Sequence, residues 1–576
     1  MTSYLLRPSA SSAPAALPAA VPSAEHVLAV RGRGGYRQYR IPALAVTARG
    51  TVLAAYDGRP NLDDLPSPID LLVRRSTDNG QTWSEQAVVR SGTGLEGFGD
   101  PSLLVDAETG RIFLFHAAGT RAGFFESATG MAPDDPTIQH TDLSWSDDDG
   151  ATWQHRRLTA ELKGSSPAGR DVTGIFAAAG QGIQIHTGPF KGRLVQQFVL
   201  LCGGEITAAS AYSDDHGERW TLGEFISAGT HGAAPNENKV AALDDGRLLL
   251  HSRATPRRLA ATSSDGGHSW SQLAPVEDLP DPSDNGSLSR FDGLPSVTGC
   301  AGTATDRWLL ATNNRDTSLR RNTVLSLSPD NGSTWPAGLV LCPGSSAYST
   351  ATRLPDGNIG VLYERQGYRE IVFASIPSWQ LTDQLAAQPH REPSTPEPAA
   401  GLTFNMELRS ITPGLPEEWR NAGEFHVMAD DGGDWGAASK EIGQGYSAGQ
   451  AQVLGTREAQ NLNYGPIIPG YKAGDILAFT GRARNDGGDT VTGVRLTGPG
   501  AAAFPARDLL PGDAALYFTP SYTLTAGDVE QEAVTITFTV KGTSRDTAWQ
   551  LSRTFRFIMA TGDVSVEDAP PVSSPR

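Results

Sequence analysis

Cysteine is close to absent: Cys202, Cys300 and Cys342 are the only three in 576 residues. Three thiols permit at most one intramolecular disulfide, which excludes a disulfide-stapled scaffold, and none are paired at the spacing of a thiolate zinc site. Each lies in an apolar or glycine-rich, strand-like context and reads as a buried, inert thiol. No run approaches the roughly 20 consecutive apolar residues of a membrane-spanning helix. Positive charge is also short, with 47 Lys+Arg against 64 Asp+Glu and a net charge of −17. A nucleic-acid partner, which needs a basic face to displace phosphate counterions, is therefore excluded. Helical periodicity of useful length is missing. Residues 1–24 hold a weak apolar stretch broken by prolines, without a positively charged start, so no export signal can be read there.

What is abundant is glycine, 64 residues, and proline, 39, both of which punctuate strands better than they sit inside helices. An all-β chain with many turns is expected. Its strongest internal signal is an octet of the form Ser-x-Asp-x-Gly-x-(Thr/Ser/Arg)-Trp, present five times: Ser76–Trp83, Ser146–Trp153, Ser213–Trp220, Ser263–Trp270 and Ser328–Trp335. Successive copies begin 70, 67, 50 and 65 residues apart, room for about four short strands each, which is one propeller blade. In each octet the aspartate can accept backbone N–H bonds across a hairpin, the glycine supplies a positive φ, and the tryptophan plugs an apolar layer. These residues announce architecture rather than chemistry.

The predicted organisation is a flexible segment at 1–24 and a six-bladed β-propeller over 25–382, with one blade lacking an octet. A proline-rich linker at 383–401, a smaller β-sandwich of immunoglobulin-like type over 402–560 and a disordered tail at 561–576 follow. The stretch 414–460 carries weaker strand signals and is not assigned.

Outside the octets, Tyr39-Arg40-Ile41-Pro42 resembles the (Phe/Tyr)-Arg-Ile-Pro motif that opens the catalytic domain of bacterial exo-sialidases (neuraminidases), and five octets follow it as in that family. The resemblance covers about 25–382. It implies an enzyme that removes terminal sialic acid from glycans with retention of configuration, through a covalent sialyl-tyrosine. A carboxylate on the anomeric carbon of the sugar calls for planar, permanently charged guanidinium groups, and Arg40, Arg253 and Arg320 match the family's arginine triad, with Arg321 as the competitor of Arg320. The same carboxylate would repel an anionic nucleophile, and a neutral tyrosine avoids this. Tyr348 matches that position and Glu237 the base that activates it.

The resemblance further implies Asp64 as general acid/base, with Asp63 as its competitor, and Arg59 and Asp100 as contacts to the sugar. Glu364, 16 residues beyond Tyr348, is implied as the partner that holds Arg40. An acid that must be protonated to help the aglycone leave points to a raised pKa or an acidic optimum. No cofactor is required and no metal ligand is assigned: EF-hand, Gly-Lys-Ser/Thr and His-Glu-x-x-His patterns are all missing. The partners implied are sialylated glycans, the protein is expected to be a monomer, and its place is expected to be extracellular or at the cell surface. A trans-sialidase would use the same residues, and a non-catalytic glycan-binding propeller would share the octets without needing the tyrosine and its base.

Overall fold

The computed structural model describes residues 17–412 and 473–575, less 32, 61, 95, 168–170, 227–233, 292–306, 318, 388–400, 486, 512–515, 546, 560–563 and 569–571. Six sheets, antiparallel except where the short strand Gly180–Gln181 pairs parallel with Gly97–Val105, follow one another along the chain to residue 376. The first runs Gln38–Val46, Val52–Arg59, Asp70–Ser76, Ala87–Arg90, from the inner to the outer strand. The second is built on Gly97–Val105, the third on Val172–Ala177 with Leu194–Cys202, and the fourth on Asn238–Ala242. The fifth begins at Ser287–Arg290, and the long strand Ala337–Arg353 ends it and starts the sixth: its first half pairs with Arg321–Ser328 and its second half with Ile359–Arg365.

Inner strands such as Gln38–Val46 are buried at every position, because each sheet is covered on both faces by its neighbours. Separate apolar clusters fill the six joints. Ala43 and Leu53 meet Leu103 and Leu114 between blades one and two; Phe113 and Phe115 meet Phe198 and Trp220 between two and three. Val195 meets Val240 and Leu248, Leu249 meets Leu309, and Leu325 meets Val361 across the next three joints. The last cluster brings Phe373 and Leu362 of blade six against Leu44 and Tyr56 of blade one, which closes the ring. This is a six-bladed propeller.

The octets lie between the third and fourth strands of blades one to five, and their internal bonds repeat. In the first, Ser76 Oγ donates to Asp78 Oδ1 (2.7 Å) and accepts from Gly80 N (2.8 Å), while Asp78 accepts from Thr82 N (2.9 Å) and Thr82 Oγ1 (2.6 Å). The glycine has a second reason to be there. A Cβ on Gly80 would lie 2.1 Å from the Phe373 ring, and one on Gly217 2.2 Å from Phe113, so each turn tip presses on the preceding blade. The residue before that glycine is also left-handed in the four octets where it is not itself glycine: Asn79, Asp149, His216 and Asn331 have φ between 58° and 65°, and Asn and Asp are the side chains that tolerate this best. Blade six has no octet for a topological reason: its outer strand is Ala24–Val30, which pairs with Glu370–Ile376, so it has no hairpin between third and fourth strands.

Of the segment predicted to be flexible, 1–24, residues 1–16 lie outside the described residues, and Pro18 and Ala20 are tied to the propeller. Val340 N donates to Pro18 O (2.9 Å) and Ala20 N to Val340 O (2.8 Å), so pairing with the propeller reaches back to Pro18. The helix Trp379–Ala387 likewise extends past 382 into the predicted linker, where the Gln384 side chain pairs with both backbone groups of Gly338. Beyond it, Leu402–Thr412 and Ile476–Asn485 form one sheet. Val491–Thr497, Ala533–Ser544 and Thr547–Ile558 form another. The two share one core that includes Met406, Phe479, Phe538 and Phe555. The tail predicted to be disordered contributes strands: Val564–Asp568 and Val572–Pro575 both pair with Thr547–Ile558. The unassigned stretch 414–460 lies outside the described residues, as does Cys300. Cys202 and Cys342 are buried free thiols, and burial pushes Cys342 up to about 12, consistent with the inert reading.

His251, fully buried beside Trp335 with neither ring nitrogen hydrogen-bonded, is pushed down to about 3 by burial and then by Arg258. The ring of the unfolded chain protonates near 6.5, so the unfolded state takes up this proton first. The stability His251 contributes above pH 6.5 is therefore lost as pH falls toward 3, about 2 kcal/mol of it by pH 5. Thermal melts from pH 4 to 7 are expected to fall less steeply with acid for His251→Leu than for the wild type; equal slopes would contradict the burial argument.

Candidate active site

At the ring's centre the inner strands are bulged, and the bulges carry the site. Register breaks fall between Arg40 and Ala43, between Gly99 and Ser102, and between Ser346 and Ser349; a bulge re-aims the side chains beside it. Two of these bulges share a construction, a left-handed residue before proline: Ile41 (φ 61°) before Pro42 and Asp100 (φ 62°) before Pro101. A β-branched residue at positive φ is strained by roughly 1–3 kcal/mol. Glu364 holds Ile41 there, its Oε1 accepting from Ile41 N (2.8 Å) and Arg40 Nε (3.3 Å) while its Oε2 accepts from Tyr348 N (3.0 Å). One wholly buried carboxylate thus fixes the Ile41 bulge, the Tyr348 bulge and the Arg40 guanidinium.

Tyr348 sits among charges. Its Oη donates to Glu237 Oε2 (2.9 Å) and accepts from Arg253 Nη1 (2.5 Å), which also donates to that Glu237 oxygen (2.5 Å). The guanidinium carbons of Arg40 and Arg320 lie 4.9 and 5.0 Å from the centre of the tyrosine ring. Burial pushes the phenol well above its usual value of 10, Arg253 opposes that, and Glu237 adds to it. Among these groups the tyrosine rests as a neutral phenol already bonded to a carboxylate.

Opposite, Arg59 Nη1 donates to Asp64 Oδ1 (2.6 Å), and Arg59 grips Asp57 Oδ2 through Nη2 (2.7 Å) and Nε (3.1 Å). Asp100 Oδ1 lies 3.8 Å from Arg59 Nη2. Burial pushes Asp57 up to about 6 against the pull of Arg59. Asp100 is raised well above the ordinary carboxylate range by burial, then by Asp64 and Asp57. A pocket open to solvent is lined by Arg40, Asp64, Asp100, Glu237, Arg253 and Tyr348, with Phe124, Phe125 and Phe176 among its apolar lining.

The structure therefore brings the nine sequence-predicted residues to one end of the ring and separates the two ambiguous pairs. Asp64 lines the pocket with a side chain 34% exposed, whereas Asp63 is buried behind it and its carbonyl accepts from Arg59. Arg320 stacks on Tyr348, whereas Arg321 turns away to Asp316 and Glu407. Two neighbours escaped the sequence reading. Asp57 braces Arg59; the signal was its position two residues earlier on the same strand, hence the same face. Tyr368 accepts from Arg320 Nη1 (3.1 Å) and lies 4.5 Å beneath Arg40, and nothing local in the sequence marks it.

Comparison with known proteins agrees with this geometry. The BNR repeat-like domain family matches residues 50–361. The sialidase of Micromonospora viridifaciens is 46% identical over 348 residues, covering 59% of this chain and 52% of that protein. Sialidase-2 of Cricetulus griseus is 30% identical over 363 residues, 58% of this chain and 91% of its own length. Among solved structures, the Hadza microbial sialidase Hz136 matches with TM-score 0.55 and 29% identity over 62% of this chain and 69% of its own. The chain spans between about half and two thirds of the length of the first three curated relatives it matches. A closed six-bladed ring, a buried tyrosine bonded to a glutamate beneath three arginines, and these likenesses together place the chain in the sialidase family.

Proposed function

We propose that the protein is a retaining exo-α-sialidase acting on terminal sialic acid of glycoconjugates. The observation that carries this is Tyr348 Oη held between Glu237 and Arg253 at the floor of an arginine-lined pocket. Arg40, Arg253 and Arg320 receive the substrate carboxylate, and with Tyr348 neutral no anion faces it along the line of attack. Asp64, at the pocket mouth, protonates the glycosidic oxygen as the C–O bond breaks. Tyr348 Oη bonds to the anomeric carbon while its proton passes to Glu237, so the high proton affinity of the buried phenol never has to be met by a free phenolate. Asp64 then takes a proton from water, which displaces the tyrosine, and Glu237 returns its proton to the phenol. Two displacements retain configuration. Asp100, in the pocket wall beside Asp64, contacts a sugar hydroxyl in this reading, and Arg59 contacts the sugar by way of its place beside Asp64. Such substrates and the expected place of action, outside the cell, belong to the same reading.

The test is hydrolysis of a fluorogenic α-sialoside by the purified chain across pH 4 to 8, with the first-formed product anomer followed by NMR. The α anomer is expected first. A folded protein that binds sialosides without turning them over would make this a glycan-binding propeller and overturn the reading.

A further inference from the structure

Arg320 and Arg321 are adjacent in sequence, yet their side chains serve two different units of the chain. Arg320 stacks on Tyr348, which lines the pocket, and donates to Tyr368 Oη (3.1 Å) and to Ser283 O (3.1 Å). Arg321 donates from Nε to Asp316 Oδ2 (2.7 Å) and from Nη1 to Glu407 Oε1 (2.7 Å). Glu407 belongs to the strand Leu402–Thr412 of the C-terminal unit. It is only 1% exposed, and the same oxygen accepts from Arg553 Nη2 (2.9 Å) of Thr547–Ile558. A third side chain of that unit closes the grip: Arg482 pairs with Asp316 Oδ1 (3.4 Å) and donates to Thr317 Oγ1. Asp316 Oδ1 in turn accepts from Leu319 N (3.0 Å), immediately before Arg320.

We infer that the C-terminal unit is a positioning element for the carboxylate site: Glu407 and Arg482 anchor the turn that presents Arg320, and through Tyr368, stacked under Arg40, they set the spacing of two of the three arginines. The inference rests on the proposed sialidase activity for its kinetic readout, though not for its structural one. The physical reason is the buried pairing. Taking Glu407 away removes the carboxylate that the largely buried Arg321 and Arg553 share, leaves Arg321 the Asp316 pair through Nε, and so lets its Nη1 end move toward water. Arg321 cannot move far without carrying Arg320 with it. A carboxylate held by planar forks is sensitive to small errors of placement.

The experiment compares full-length wild type with Glu407→Ala, with Arg320→Ala and with the double variant. For Glu407→Ala the KM for a fluorogenic sialoside is expected to rise roughly tenfold with kcat nearly unchanged. On the Arg320→Ala background the same substitution should add little, because the arginine it positions is gone. A merely destabilising substitution would add equally in both. Hydrogen exchange at the Leu319 amide should quicken in Glu407→Ala whether or not the protein turns over sialosides. Loss of wild-type turnover would thus defeat the activity while leaving the anchoring to be decided by exchange. Should the alanine variant not fold, Glu407→Gln carries the same comparison with a smaller shift. Unchanged KM and unchanged exchange in a folded variant, or an equal KM rise on the Arg320→Ala background, would overturn the inference.

Discussion

Replacing Tyr348 by phenylalanine is expected to lower kcat for sialoside hydrolysis by roughly 10³-fold or more, the scale on which removal of a reacting group is felt, while KM stays close to the wild-type value. The reason for the split lies in what phenylalanine keeps. Its ring still fills the space beside Arg40 and Arg320, at 4.9 and 5.0 Å, and the Glu237–Arg253 pair at 2.5 Å survives without the hydroxyl. The binding surface for the carboxylate persists and only the bond-forming oxygen is lost. What turnover remains must come from direct attack by water on the face the phenol vacated. The first-formed product should then switch to the β anomer. Steady-state kinetics with product NMR check both parts, and a folded variant with wild-type kcat and an α product would rule Tyr348 out as nucleophile.

Glu364→Gln is expected to have the largest effect on stability and binding together. The carboxylate is wholly buried and serves three donors on two blades: Arg40 Nε, Ile41 N and Tyr348 N. A glutamine offers one oxygen. Its NH2 would face either the Arg40 guanidinium or the Tyr348 amide, a donor against a donor, and Arg40 would lose its counter-charge. Breaking a buried pair in this way costs about 3–5 kcal/mol, and the strain at Ile41, which Glu364 holds in place, adds to the disturbance. Thermal unfolding should shift down by several degrees, and KM for sialosides should rise because Arg40 is released. An unshifted transition with unchanged KM would mean that the two bulges hold themselves.

The contrast between these residues and the octets shows why some of the molecule could be read directly. Ser76, Asp78, Gly80 and Thr82 bond to one another within seven residues, so the pattern is complete in a short window and repeats. Site residues of the propeller were reachable through likeness to a family, since Arg40 and Glu364 meet only after 324 intervening steps of chain. Tyr368 does its work through a stack that no spacing announces, and Asp57 through a buried pair whose two-residue spacing to Arg59 every strand offers. Between Arg320 and Arg321 the sequence offers only spacing in favour of Arg320, whereas the fold separates them by supplying Glu407 for Arg321. The tail at 564–575 was misread because Pro, Ser and acidic residues suggest solvent, yet its backbone pairs with an exposed strand edge whatever its side chains prefer.

The closure of blade six by Ala24–Val30 has a consequence for how the protein is made. Ala24 pairs with Ser375, so this strand, once synthesised, has no sheet partner until some 350 residues later, a wait on the order of tens of seconds at ordinary synthesis rates. Through that interval both the early segment and the flank of blade one, where Tyr56 and Leu44 await Phe373, stand open to solvent and to other chains. Five blades can stack as they are made, but the circle itself is sealed late and by a long-range pairing. The nascent propeller is therefore most exposed to aggregation at the seam between Ala24–Val30 and Glu370–Ile376.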